Sequence, residues 1–91
     1  MKKYLPLGSV VLLEDGEKSV MICGRKQIHI EKNEFFDYIV CPYPEGNLST
    51  EYAYLTNHDE IREVLFTGFI NDDETEFLKI LNHLDDQNNI S

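Results

Sequence analysis

Apolar residues occur in short clusters through the first half of the chain and as a periodic stripe near its end. Val10-Val11-Leu12-Leu13 and Ser19-Val20-Met21-Ile22-Cys23 are β-branched apolar runs, and the Asp15-Gly16 pair between them supplies the positive-φ turn of a hairpin. Gly24 within this pattern marks a bulge or a close backbone approach. Ile28 and Ile30 alternate with Gln27, His29 and Glu31, which predicts one buried and one wet face. A turn at Asn33-Glu34 leads into a third apolar strand from Phe35 to Cys41, completing a meander over residues 9–41.

Residues 42–51 read as an irregular loop, because Pro42, Pro44, Gly46, Asn47 and Ser49 are turn formers and the prolines cannot donate to a ladder. Tyr52-Ala53-Tyr54-Leu55 predicts a short strand, Asn57 a capped helical turn through Ile61, and residues 63–69 (EVLFTGF) a further strand. A helix is expected over 72–85. Asn71 or Asp72 caps it, Glu74 completes a capping box, and Asp72, Asp73, Glu74 and Glu76 suit the positive end of its dipole. Phe77, Leu78, Ile80, Leu81 and Leu84 then form a core-facing stripe, and the polar residues from Asp85 to Ser91 fray. The expected fold is a single α+β domain. It is a small, strongly bent antiparallel sheet, or an SH3-like barrel, with one C-terminal α-helix packed on it.

Composition narrows the function more than it does the fold. With 91 residues, 42% hydrophobic and 27% charged, the chain suits one globular domain with one modest core. The formal charge is −9, unevenly spread: residues 1–44 hold six basic and six acidic groups, and residues 45–91 hold two basic and eleven acidic. An acidic domain repels phosphates, which argues against nucleic acid and anionic membrane surfaces, and a basic protein partner fits the sign. Lys2 and Lys3 before the run from Leu5 to Leu13 imitate a secretory signal, but Pro6, Gly8 and Glu14 interrupt it. No stretch approaches the ~20 apolar residues of a membrane span, so a cytoplasmic protein is expected. Cys23 and Cys41 are accordingly read as a reduced, buried pair.

Searches for reactive chemistry return little. His29, His58 and His83 share no helical spacing, and there is no C-x-x-C or H-E-x-x-H, so neither a metal nor another cofactor is expected. There is no G-x-S-x-G elbow, and the five glycines are scattered singly rather than clustered as a phosphate cradle. Asp72-Asp73 and Asp85-Asp86 sit at helix ends, where capping and solvation account for them. The expectation is therefore a protein that is not an enzyme. The segment Tyr43-Pro44-Glu45-Gly46-Asn47, with Tyr52 and Tyr54 nearby, is the candidate partner-binding patch, since Tyr brings contact area at low entropic cost. The alternative is that these tyrosines close one end of the sheet with their hydroxyls in water.

Four segments in order, LPLGSVVLL (Leu5–Leu13), MICGR (Met21–Arg25), YPEGN (Tyr43–Asn47) and NHDEIREVLFTGF (Asn57–Phe69), carry a resemblance. The chain resembles a family of small domains of unknown function from Gram-positive bacteria, encoded in type VII secretion loci beside LXG polymorphic toxins. The resemblance implies a cytoplasmic, non-enzymatic adaptor or chaperone whose partner is a secreted toxin or its helical targeting factors. It brings no catalytic residues. The alternative is an immunity protein, for which an acidic face opposite a basic toxin domain would be suited. The oligomeric state is open at this level.

Overall fold

The computed structural model describes residues 4–88. Five strands, β1 (Val10–Leu13), β2 (Val20–His29), β3 (Glu34–Pro42), β4 (Tyr54–Thr56) and β5 (Ile61–Phe66), precede one helix, α1 (Asp72–Asn88). All pairings are antiparallel, in the order β4-β3-β2-β1-β5. The α+β expectation holds. β4 and β5 occupy the two edges and do not pair, so the sheet is not a closed barrel. A 3-10 turn at His58–Glu60 joins the two edges, and the Glu14 N–H donates to the Glu60 carbonyl (2.9 Å).

Local chemistry sets these boundaries. β2 and β3 shift register between Ile22 and Gly24, the bulge expected at that glycine, and the strand then continues to His29. β5 ends earlier than expected because the chain beyond Phe66 turns onto the N-terminal segment. Gly68 donates its N–H to Ser9 Oγ (3.0 Å), and a Cβ there would collide with the Leu7 carbonyl. β4 begins at Tyr54 rather than Tyr52, where pairing with Val40 starts. α1 begins as expected, with Asn71 Oδ1 accepting the Glu74 N–H (3.0 Å), and it runs past Asp85 to Asn88. The expected fray at 89–91 and the basic residues Lys2 and Lys3 lie outside the described residues.

The core joins Val11, Val20, Ile22, Tyr38 and Val40 of the sheet to Tyr4 and Leu81. Two expectations about burial are corrected. Ile28 and Ile30 are both exposed, lying at the end of the long β2–β3 hairpin and outside the core cluster. Of the helix stripe, only Leu81 is fully buried (2% exposed) and Leu78 half-buried, while Phe77, Ile80 and Leu84 stay exposed. The side of α1 that meets the sheet is instead Glu74, Leu78, Leu81 and Asp85, an i, i+4, i+7, i+11 line with a carboxylate at each end.

Those carboxylates tether the helix. Arg25 of β2 grips Glu74 through both terminal nitrogens, 2.5 and 2.8 Å from its oxygens, with side chains only 4% and 10% exposed. Next to it, Lys26 reaches Asp85 (2.6 Å), which also accepts the Tyr4 hydroxyl (2.7 Å). Successive strand residues normally point to opposite faces. Lys26 has φ 55°, and this left-handed backbone lets both cations reach the helix.

Leu81→Asp should cost about 3–5 kcal/mol, the burial loss plus a buried charge. Leu84→Asp, one turn along on the exposed flank, should fall within about 0.5 kcal/mol of the parent in denaturant unfolding. Equal losses would show that both leucines face the core. Glu74→Ala should cost about 3–5 kcal/mol by the same measurement, because it strands the Arg25 charge in a dry site.

Candidate functional site

Tyr38 lies at the centre of the polar network beneath α1. Its hydroxyl accepts the Leu5 N–H (2.9 Å) and shares a hydrogen bond with His58 Nδ1 (2.7 Å). Asp37 Oδ2 accepts the His58 N–H (2.8 Å), and Asn57 Oδ1 accepts the Asp37 N–H (3.1 Å), so β3 holds the 3-10 turn from two adjacent residues. Burial raises Tyr38 from the ordinary 10 to about 12, and its ring is sealed from solvent. A hydroxyl so placed is a poor acid near neutral pH, and the network serves to join the N-terminal segment, β3 and the turn. Burial and the Asp85 carboxylate push Tyr4 up as well.

The two cysteines meet, with Sγ atoms 2.7 Å apart across β2 and β3. Cys41 is buried as expected, whereas Cys23, which follows the core-facing Ile22 on β2, is exposed. Desolvation and the hydrogen bond with Cys41 push Cys23 up to about 11, which keeps it a thiol. Among the described residues no three His, Cys, Asp or Glu side chains gather as metal ligands, and no helix is long and apolar enough to cross a membrane.

The loop after β3 displays its side chains. Tyr43, Pro44, Glu45 and Asn47 are exposed, Gly46 adopts φ 82°, and Lys18 pairs with Glu45 at 2.8 Å. That pairing lowers the Glu45 carboxyl below its usual range. The three tyrosines do not form one patch. Tyr43 lines a cavity of about 410 Å³ with Val10, Met21, Leu65 and Phe66. Tyr54, on the β4 edge, lines a separate one with the β1–β2 turn, and Tyr52 is exposed before it.

A run of exposed apolar side chains begins in the strand expected over 63–69 and extends to Ile70. Val64, Leu65 and Phe66 of β5, together with Phe69 and Ile70, are all exposed, Phe69 to 79%. On the helix side of β5 a groove of about 600 Å³ runs between the strand and α1, lined by Leu5, Pro6, Ile61, Val64, Ile70 and Leu78. The available signal was the continuity of the run. EVLFTGF is apolar on both faces, which suits a central strand, and at an edge it leaves one flank uncovered.

A family model described as a domain of unknown function (DUF4176) matches residues 4–77, more than half of the chain. The chain belongs to the DUF4176 family. Neither a curated protein nor a solved structure matches it. The matched span of this DUF4176 chain runs from Tyr4 to Phe77, so it includes all five strands, the groove lining except Leu78, and the Arg25–Glu74 anchor.

Raising Tyr38 to about 12 means that the folded chain holds this proton more tightly than the unfolded one. Its contribution to stability is complete below pH 10 and is lost as pH rises from 10 through about 12. Melting temperature should fall across that window. Tyr38→Phe should start lower and fall less steeply, with Tyr4 supplying the remaining slope; identical profiles would place the titrating group elsewhere.

Proposed function

We propose that this DUF4176 protein is a cytoplasmic, non-enzymatic accessory protein, an adaptor or chaperone that binds a type VII secreted LXG toxin. The observation that carries the binding role is the exposed apolar character of β5 and the residues after it: Leu65 and Phe66 line a cavity with Tyr43, and Phe69 and Ile70 are exposed beyond the strand. Monomeric domains rarely leave such surface uncovered unless a partner takes it. The toxin as partner comes from the four-segment resemblance, which points to genes lying beside LXG toxins. The acidic second half of the chain supports a basic partner surface, through faster encounter and selection against acidic competitors.

Co-expression with an LXG toxin, followed by size-exclusion chromatography, tests this reading. A stable complex with the toxin's N-terminal targeting region is expected. A complex formed only by the C-terminal toxic domain would make the protein an immunity factor instead, and no complex with either part would refute both readings. Within the complex, Tyr43→Ala should weaken binding by about 2 kcal/mol or more while leaving the melting temperature nearly unchanged, as interface hot spots do. Pro44, Glu45, Gly46 and Asn47 complete the proposed contact set around Tyr43, and Tyr52 and Tyr54 lie at a separate part of the surface. Glu45→Lys should mainly slow association, because a rim charge acts through steering.

A further inference from the structure

β5 is an edge strand without the usual protection. Edges are commonly blunted by shortness, charge, proline or a covering element. β4, at the opposite edge, is three residues long. β5 has six residues, and its charged pair Arg62-Glu63 lies toward one end, leaving Val64-Leu65-Phe66 open with Phe69 and Ile70 beyond them. No strand of the described residues pairs with its outer edge, and the groove between β5 and α1 opens alongside it. An exposed row of backbone donors and acceptors beside a pocketed groove is what strand addition requires. The main chain supplies affinity, and alternate side chains enter the pockets.

The charges around this edge select the occupant. From Asp59 to Glu76 the chain carries Asp59, Glu60, Glu63, Asp72, Asp73, Glu74 and Glu76 against the single cation Arg62. Glu63 and Glu74 line the groove itself, Glu74 already engaged by Arg25. A second copy of the chain would bring the same acidic surface against itself, at a net charge of −9 each, which disfavours β5–β5 pairing.

We propose that β5 accepts an added β-strand from a protein partner, a segment alternating basic with apolar residues. Its main chain pairs with the outer edge of β5, its apolar side chains enter the groove against Ile61, Val64, Ile70 and Leu78, and its basic residues are drawn by the acidic segment from Asp59 to Asp73 that flanks the edge. This rests on the partner-binding reading above and gives that partner its chemistry and its mode of attachment.

The test uses the full chain and a capped, fluorescent peptide of about nine residues alternating Arg with Val, a length within the range of natural strands. Two control peptides accompany it: a Glu–Val version, and the Arg–Val version with alternate amides N-methylated, which cannot form a ladder. The Arg–Val peptide should bind at least tenfold more tightly than either control at low salt, and amide hydrogen exchange should slow within β5. Val64→Asp, at a half-exposed side chain that lines the groove, and Glu63→Lys should each weaken it at least fivefold without loss of melting temperature, whereas Ile30→Ser at the far hairpin should not. Equal binding by the N-methylated peptide would overturn the proposal in favour of charge attraction alone, as would absence of binding or a chain that dimerises through β5. If the peptide fails while the toxin still co-purifies, strand addition falls and the accessory role stands. If the peptide binds while the toxin does not, the edge site stands and the toxin reading falls.

Discussion

The Arg25–Glu74 pair fixes where α1 lies, and the rest of the architecture follows from that position. A helix that fully buries one leucine draws little placement from apolar packing, so its orientation comes from polar contacts at its ends. Arg25 suits the task because its planar fork meets both carboxylate oxygens in one geometry, which the point charge of a lysine does not reproduce. Its Nη1 also donates to the Leu5 carbonyl (3.3 Å), so one guanidinium aligns the N-terminal segment, β2 and α1. The groove beside β5 exists because these three are held in that relation, with Leu5 and Pro6 on one side of it and Leu78 on the other.

Much of the fold was legible in the sequence for local reasons. β-branched runs broken at Asp15-Gly16 and Asn33 gave β1, β2 and β3, although Gly16 does not take the positive φ expected of that turn, and the amide cap at Asn71 gave the start of α1. What failed was the inference from periodicity to burial. A period of two at Ile28 and Ile30 shows that one side of a strand is apolar, but coverage depends on what packs there, and neither isoleucine is covered. The helix stripe failed for a related reason. Phe77, Ile80 and Leu84 mark an apolar flank, whereas the docked side is set by Glu74 and Asp85 finding cations on β2. Carboxylates at those positions read as cap and surface until their partners, 49 and 59 residues away, are known.

The candidate surface divides in the same way. Prolines around Tyr43 announced a displayed loop, and the loop is displayed. The apolar run at β5 announced a strand, but local pattern carries no information on whether a strand is central or at an edge. Only the order β4-β3-β2-β1-β5 reveals that Leu65 and Phe66 have a neighbour on one side alone. The excess acidity of the second half also acquires a location, since it is gathered on the segment from the 3-10 turn to the first turns of α1 rather than dispersed over the surface.

At Gly68 the backbone presses against the Leu7 carbonyl and its N–H is taken by Ser9 Oγ, so the far end of β5 is clasped to the segment leading into β1. The clasp has a mechanical meaning. A strand seated along β5 and drawn lengthwise would load the β1–β5 hydrogen bonds in shear, all together, because the clasp and the Glu14–Glu60 bond prevent either end from peeling first. Bonds that must break simultaneously resist far more force than bonds opened one at a time. The exposed edge is thus a stiff handle, able to take a pull without the sheet beneath it coming apart.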